Sequence, residues 1–574
     1  MSELPDTSAD APTTPFARWL RDTDESGLRR FETGIPVRDG VELAADVYLP
    51  EGDGPAPAIV TITPYGKDNV GFATDEARFY QRHGYVFVAV DVRGRGKSEG
   101  TWVPFASDPD DGYDIVEWVA AQSWCTGKVG MTGLSYMGWT QWAAASRRPP
   151  HLTCMVSTSA AGRWQQEIPF TNGAFQLYFA WWAFATRRRI SEIHAMATMD
   201  WDRLLPTLPY DAIGTELGIP QDNWRLLTGR DRLDEFWQAL RFDDGYDRID
   251  IPCLHVTGWY DLEDLLGAFH HYEHMAAGSP AADSQYLLVG PWSHLKSRYP
   301  DRYYAGRDLG PDAAWDMDAE HLRWFDHWLK KEGPGLDDVA RIRLFEPGTD
   351  QWRTPATWPM ATSERSLFLG RQDEEGLLTA TAQEQESSTA YRYDPADPVP
   401  TQVDVRAYPV EDVPLLQDAN EARPDVLTFT GPSLETETRI SGWGRVELFA
   451  SSDCDDTEWH VKLCDVHPDG RSYKVTQGCL RAACRDSLVE PAPLTPDEIT
   501  RFVVELWPTQ HVFLPGHRAR VTVTSSDFPW FARSLNRFGV VATQAEARVA
   551  LNTVMHGGDH PSRLVLPVVD AAAQ

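Results

Sequence analysis

Long apolar runs are missing from this sequence. No stretch of about 18 apolar residues occurs, and the densest segment, Phe179 to Ala185, is far too short to cross a bilayer. Met1 to Asp24 is polar and acidic, without the basic-then-apolar layout of a secretory leader. Cysteine is scarce: seven residues (125, 154, 253, 454, 464, 479 and 484), odd in number, scattered, with no Cys-x-x-Cys pair. That pattern fits free thiols in a reducing compartment and neither a disulfide framework nor a zinc knuckle. A soluble, cytoplasmic protein is expected. Basic side chains are also short, 53 Lys and Arg against 85 Asp and Glu, for a net charge of −32. Nucleic acids and anionic membranes, which need a basic footprint, are excluded as partners. Internal repeats are absent.

What remains is ordinary globular composition, 42% apolar and 24% charged, rather than disorder. At roughly 150 residues per module, the 574 residues leave room for three or four. The 23 Trp point either to aromatic-lined pockets or to large buried interfaces.

The first part of the chain alternates strand and helix signals. Val37 to Leu49 carries an Asp39-Gly40 turn between two extended stretches and reads as a hairpin. Ala58 to Ile62 and Tyr85 to Val90 are short, apolar and β-branched, as strands buried on both faces are. Helical spacing follows at Asp114 to Ala121, then a strand at Lys128 to Thr132. From about Ala143 to Arg248 helical stretches dominate (Phe175 to Ile190, Asp231 to Leu240). Strands resume at Cys253 to Val256 and Tyr286 to Val289. Beyond about Pro355, period-2 alternation takes over, at Val446, Leu448 and Ala450, at Phe502, Val504 and Leu506, and at Val521 and Val523. The expected architecture is an α/β domain over 25–142 and 249–354, a helical cap inserted at 143–248, and a β-sandwich or jelly roll over 355–570. The first dozen residues and the Ala-rich tail are expected to fray.

A literal Gly-x-Ser-x-Gly occurs at Gly96 to Gly100, but Ser98 leads into a loop of Gly, Pro and Asp. A nucleophile elbow needs a strand before the serine and a helix after it. Ser135 has both: Val129 to Thr132 is a strand, Gly133-Leu134-Ser135-Tyr136-Met137-Gly138 is the turn, and Trp139 to Ser146 continues helically. A phosphate loop at Gly96-Lys97-Ser98 fails because position 91, where a Gly is required, is Asp. His270-His271-Tyr272-Glu273-His274 contains the His-x-x-Glu-His of one zinc peptidase class. No distant carboxylate stands out as a third ligand, so the bland reading is a His-rich, partly exposed helix.

With Ser135 in place, other runs fall into order: Pro64-Tyr65, Asp91-Val92-Arg93-Gly94-Arg95-Gly96, Gly258-Trp259-Tyr260-Asp261, and Gly290-Pro291-Trp292-Ser293-His294. Tyr393 to Pro400 and Phe513 to His517 add signatures in the C-terminal part. Together they resemble the cocaine esterase family of α/β-hydrolases, which includes the X-prolyl dipeptidyl peptidases and the α-amino-acid ester hydrolases. The resemblance covers nearly the whole chain. It implies Ser135 as nucleophile, His294 as general base and then acid, and Asp261 as the residue orienting the imidazole. It also implies an oxyanion hole from the Tyr136 N–H and the Tyr65 hydroxyl; without the resemblance, Tyr65 reads as a buried sheet-edge aromatic. No metal or organic cofactor is implied. The expected partner is a small ester or activated amide. An X-Pro dipeptidyl aminopeptidase is the second reading, and a zinc peptidase or a glycan-binding sandwich the outside ones.

After Asp261 comes Leu262-Glu263-Asp264. This resembles the α-amino-acid ester hydrolases, whose carboxylate cluster binds the substrate ammonium group. The third member of that cluster lies in a segment that Phe170 to Phe175 resembles. Its Asp is not matched in register: Glu167 is the nearest acid, and Ile168 is the other candidate for the position. Glu263 and Asp264 also open a helix, where acidic residues favour the dipole without any ligand. Trp181 and Trp182, on the cap, either line the acyl pocket or pack in the core.

Overall fold

The computed structural model describes residues 28–68, 73–192, 199–403 and 412–570. Met1 to Asp24, residues 25–27 at the expected domain start, and the Ala-rich tail lie outside these residues. A ten-stranded sheet organises the first domain. In chain order its strands are β1 (Arg30–Pro36), β2 (Glu42–Tyr48), β3 (Ala56–Thr63), β4 (Val86–Asp91), β5 (Cys125–Leu134), β6 (Leu152–Thr158), β7 (Cys253–Gly258), β8 (Gln285–Gly290), β9 (Ile342–Glu346) and β10 (Gln351–Arg353). Their spatial order is β1-β2-β4-β3-β5-β6-β7-β8-β9-β10. β4 through β9 run parallel, and the two edges are antiparallel hairpins. Val86 to Val90 and Ala58 to Val60 are essentially inaccessible, as strands covered on both faces must be.

β6 corrects the sequence reading, which placed no strand between 143 and 248. Cys154, Met155 and Val156 are fully buried and pair in parallel with β5 and β7. Thr153, Ser157 and Thr158 break the apolar run and hide the strand from periodicity. The insertion between sheet strands therefore spans 159–252. Helices also shift. α1 (Asp108–Ala120) begins six residues ahead of its apolar spacing, on a first turn carrying Pro109 and three Asp. α2 (Tyr136–Ser146) follows β5. In the insertion, α3 (Phe179–Ala185) starts late because Phe170–Thr171 and Ala174–Phe175 pair as a tiny hairpin. α4 (Glu235–Arg241) starts where Asp234 accepts from the Phe236 and Trp237 amides. α5 (Leu265–Gly278) connects β7 to β8.

The C-terminal part is a thirteen-stranded β assembly with one parallel pairing, Glu375–Thr379 with Leu427–Thr430. Arg445–Ser452 faces Thr500–Glu505, with Val446 opposite Val504 and Leu448 opposite Phe502, all buried. It packs on the first domain through the insertion and α5. Tyr178 stacks on Trp530 at 4.6 Å, and Arg163 pairs with Glu505 at 2.7 Å. Glu273 accepts from the Trp358 and Trp443 indoles at 3.1 and 2.8 Å. All seven cysteines are free and buried. No helix among the described residues is long and apolar enough to cross a membrane.

Candidate active site

Ser135 sits where β5 turns sharply into α2, at φ 65°, ψ −127°, a conformation L-residues avoid. The turn is held from below: the Ser135 amide donates to the Thr158 and Ser159 carbonyls. Its two glycines are required by space. A Cβ on Gly133 would lie 2.4 Å from Met137 Cβ, and one on Gly138 would lie 2.8 Å from the Thr158 carbonyl oxygen. Ser135 is also the one residue of 129–145 that is not fully buried, so a strained elbow presents a hydroxyl above a packed sheet.

Asp261 and His294 follow β7 and β8, whose last residues, Gly258 and Gly290, are paired in register. The two loops are then zipped together, Trp259 N–H to Gly290 O and Tyr260 N–H to Trp292 O. Gly258 permits this, since a Cβ there would meet Trp292 O at 2.1 Å. Asp261 is inaccessible and accepts from His294 Nδ1 at 3.1 Å and from the Glu263 and Asp264 amides at 2.9 and 3.2 Å. Burial alone would raise its pKa, but the His294 charge and these hydrogen bonds hold it below the usual value. The opposite holds for His294: burial lowers it, while Glu263, Asp261 and Asp264 push it up to about 10. Its Nε2 lies 3.6 Å from Glu263 Oε2. No hydrogen bond joins it to Ser135 among the described residues; resting enzymes often keep that contact loose.

Tyr65 lies just past β3, next to β5 in the sheet. Its hydroxyl oxygen accepts from Trp182 Nε1 at 3.1 Å and also hydrogen-bonds the Ser135 side chain, and burial pushes its pKa up to about 12. Arg95 braces this pair. Its guanidinium, 2% exposed, donates to Pro64 O at 2.7 Å and to the carbonyls of Thr186 and Arg188 beyond α3. One buried cation thus ties the Tyr65 loop to the helix that carries Trp182. Arg95 was visible in the sequence only as part of a signature run. Tyr136, first in α2, has its amide at the helix N-terminus, while its hydroxyl donates to Asp108 at 2.6 Å.

Tyr65, Ser135, Tyr136, Trp182, Glu263 and Asp264 line one cavity of about 30 Å³, closed by Phe105, Trp139, Tyr178 and Ile168. Trp182 stacks on Tyr136 and Phe105. Trp181, one residue earlier, faces away and packs on Tyr178, Trp201 and Trp530, in the core. Glu263 accepts from the Tyr178 hydroxyl at 2.5 Å, and among the described residues its Oε1 has no partner. Burial raises Glu263 to about 7 and Asp264 well above its ordinary value. Glu167 does not reach this cavity. One oxygen accepts from the Gly162 and Arg163 amides and the other from Gly267 in α5, and Ile168 faces the cavity in its place.

The decoys resolve structurally. Ser98 is inaccessible, donating to Asp91 O at 2.6 Å and accepting from the Ala44 amide at 2.8 Å. Glu273, which a His-x-x-Glu-His peptidase would need as its base, is held by two indoles of the C-terminal domain.

A serine on a strained strand-to-helix turn at the carboxyl edge of a parallel sheet, with a buried Asp–His pair beside it, defines the serine-hydrolase class. Residues 39–296 match the X-Pro dipeptidyl-peptidase (S15) family, and residues 334–565 match the X-Pro dipeptidyl-peptidase C-terminal non-catalytic domain. The chain belongs to this family and is a serine ester hydrolase. It is similar to the cocaine esterase of Rhodococcus sp. (strain MB1 Bresler), 33% identical over 93% of this chain and 97% of that one. Its fold superposes on an α-amino acid ester hydrolase with TM-score 0.84 and 27% identity, over 97% of this chain and all of the other. An aminopeptidase of a Thaumarchaeota archaeon from marine sediment also gives TM-score 0.84, at 25% identity over 99% of this chain and all of the other.

Proposed function

We propose that the chain hydrolyses esters whose acyl part carries a free α-amino group, through an acyl-enzyme on Ser135. His294 Nε2 takes the Ser135 proton as the hydroxyl attacks the ester carbonyl. Asp261 holds the other ring nitrogen and stabilises the imidazolium. The developing oxyanion is received by the Tyr136 N–H and the Tyr65 O–H. Trp182 donates to the Tyr65 oxygen and so holds this hydroxyl beside Ser135, where it can donate to the oxyanion as charge develops. His294 then protonates the departing alcohol, and water repeats the sequence to release the acid.

The observation that carries the substrate reading is the pair Glu263 and Asp264. Two carboxylates face the cavity beside Ser135; among the described residues Glu263 Oε1 has no partner and the nearest cationic group to Asp264 is His294 at 4.0 Å. Uncompensated buried carboxylates are costly, and a substrate ammonium would supply the missing counter-charge. It would also offset the negative field of Glu263 and Asp264 that raises the His294 pKa. Two members suffice here, because Glu167 is consumed by backbone amides.

A panel tests this: an α-amino-acid methyl ester, its des-amino and N-acetyl counterparts, and an X-Pro anilide, all assayed per titrated active site. The amino ester should have the highest kcat/KM. Equal turnover of the des-amino ester would overturn the ammonium reading, and preference for the anilide would favour the dipeptidyl peptidase. A fluorophosphonate adduct anywhere but Ser135 would overturn the mechanism.

A further inference from the structure

The His270/His274 pair is a motif that ester hydrolysis does not use. What the sequence lacked was a third ligand, and the fold brings one. Asp243, in the loop after α4, places Oδ1 2.9 Å from His270 Nε2. One donor atom from each of Asp243, His270 and His274 lies within 4.8 Å of the others. His270 and His274 are one helical turn apart on α5, with ring centroids 4.1 Å apart.

We propose that Asp243, His270 and His274 form a structural site for a divalent transition ion of the zinc class, clamping the cap insertion to α5. The donor set, two imidazoles and one carboxylate, suits zinc, with water in the fourth position. The tautomers favour it. His274 Nδ1 is bonded to the His270 carbonyl at 2.8 Å, which leaves Nε2 as the free lone pair. In the metal-free state the His270 Nε2 proton bridges to Asp243. For the ion to bind Nε2, that proton moves through water to Nδ1, so the ring stays neutral with its one proton and none is released. Zinc bonds of about 2.0–2.2 Å set neighbouring donors roughly 3.3 Å apart, and the three donors, within 4.8 Å of one another, close to that spacing on binding. Arg241 Nε occupies Asp243 Oδ2 at 2.8 Å, so Asp243 offers Oδ1 alone. Asp243 is exposed and His274 half-buried, so an ion can enter. The site carries no hydrolytic base, since Glu273 is held by Trp358 and Trp443. The ion's effect is therefore on stability: it joins an insertion loop to the helix that begins just after Asp264.

The test uses the full chain stripped with a chelator and titrated with cobalt(II), followed by its visible absorption, with melting monitored as zinc(II) is added. One equivalent should produce the ligand-field bands of a nitrogen- and oxygen-bound ion, and zinc should displace it and raise Tm. His274→Gln and Asp243→Asn should each lose that equivalent and the Tm response. Asp243→Asn keeps the acceptor for His270, so it separates lost ligation from lost folding. His467→Gln, in the second cluster that could hold an ion, Asp465, His467 and His517, should leave both signals intact. Absence of the equivalent, its survival in both His274→Gln and Asp243→Asn, or its loss in His467→Gln would overturn the assignment. So would a fall in ester turnover per active site on stripping, which a purely structural ion does not cause.

Discussion

Glu346 and Asp264 are buried carboxylates at opposite ends of the same physical problem. Glu346, at the end of β9, is wrapped by Arg439, Arg353, Gln510 and Thr349. Burial would raise its pKa, but these partners, Arg439 foremost, pull it below the ordinary value. Asp264 is likewise almost inaccessible, but among the described residues no guanidinium pairs with it, so burial, reinforced by the charges of Glu167, Asp261 and Glu263, wins and its pKa is raised. The protein thus completes its structural carboxylates at the domain interface and leaves those at the cavity open. An incomplete charge beside a reactive serine is what a ligand can complete.

The largest test falls on the cavity itself. Ser135→Ala should reduce ester turnover by about 10⁶-fold, whereas Ser98→Ala should leave kcat per active site unchanged and cost roughly 1–3 kcal/mol through its lost hydrogen bonds. At the interface, Glu346→Gln removes the main partner of the buried Arg439, leaving it Glu437 at 3.3 Å, and should cost about 1–3 kcal/mol of stability in chemical denaturation, with per-site turnover preserved. A normal melt for that variant would break the contrast.

Tyr65→Phe should lower kcat by about 10²–10³ while KM moves little, because the bond strengthens only as charge develops on the oxyanion. Asp264→Asn should do the reverse of Glu346→Gln. Stability should hold or rise, while kcat/KM for an amino ester relative to its des-amino analogue falls roughly ten- to hundredfold, the range of one charged hydrogen bond. If Asp264→Asn melts early with unchanged selectivity, it belongs with Glu346. The smallest effect is in pH. Glu263 stabilises the His294 imidazolium, so Glu263→Gln should lower the His294 pKa. The acid limb of kcat/KM for a des-amino ester should then move to lower pH, and a limb that stays put would detach Glu263 from the base.

Much of this layout is local and was readable along the chain. The strand–turn–helix around Ser135, with glycines where any Cβ would collide, is a property of a dozen consecutive residues. The buried central strands of the sheet and the alternation at Val446 to Ala450 are equally local, since a strand's burial pattern repeats every two residues. Asp261 and His294 stood out through the family resemblance of their runs, and each follows an apolar strand.

Tertiary structure decided whatever depends on which distant surfaces meet. Trp181 and Trp182 are indistinguishable in sequence, yet one helical step sends the first into the core and the second to the Tyr65 hydroxyl. Glu167 was a plausible third acid until the backbone amides of Gly162, Arg163 and Gly267 closed around it. β6 was hidden because Thr153, Ser157 and Thr158 interrupt its apolar run, and only its pairing with β5 and β7 marks it as a central strand. Asp243 is 27 residues from His270 and joins it only because the insertion folds back onto α5. Sequence determined the backbone at each position through steric limits and periodicity acting over a few residues. Convergence of side chains from separate segments is set by packing, and no local rule encodes it.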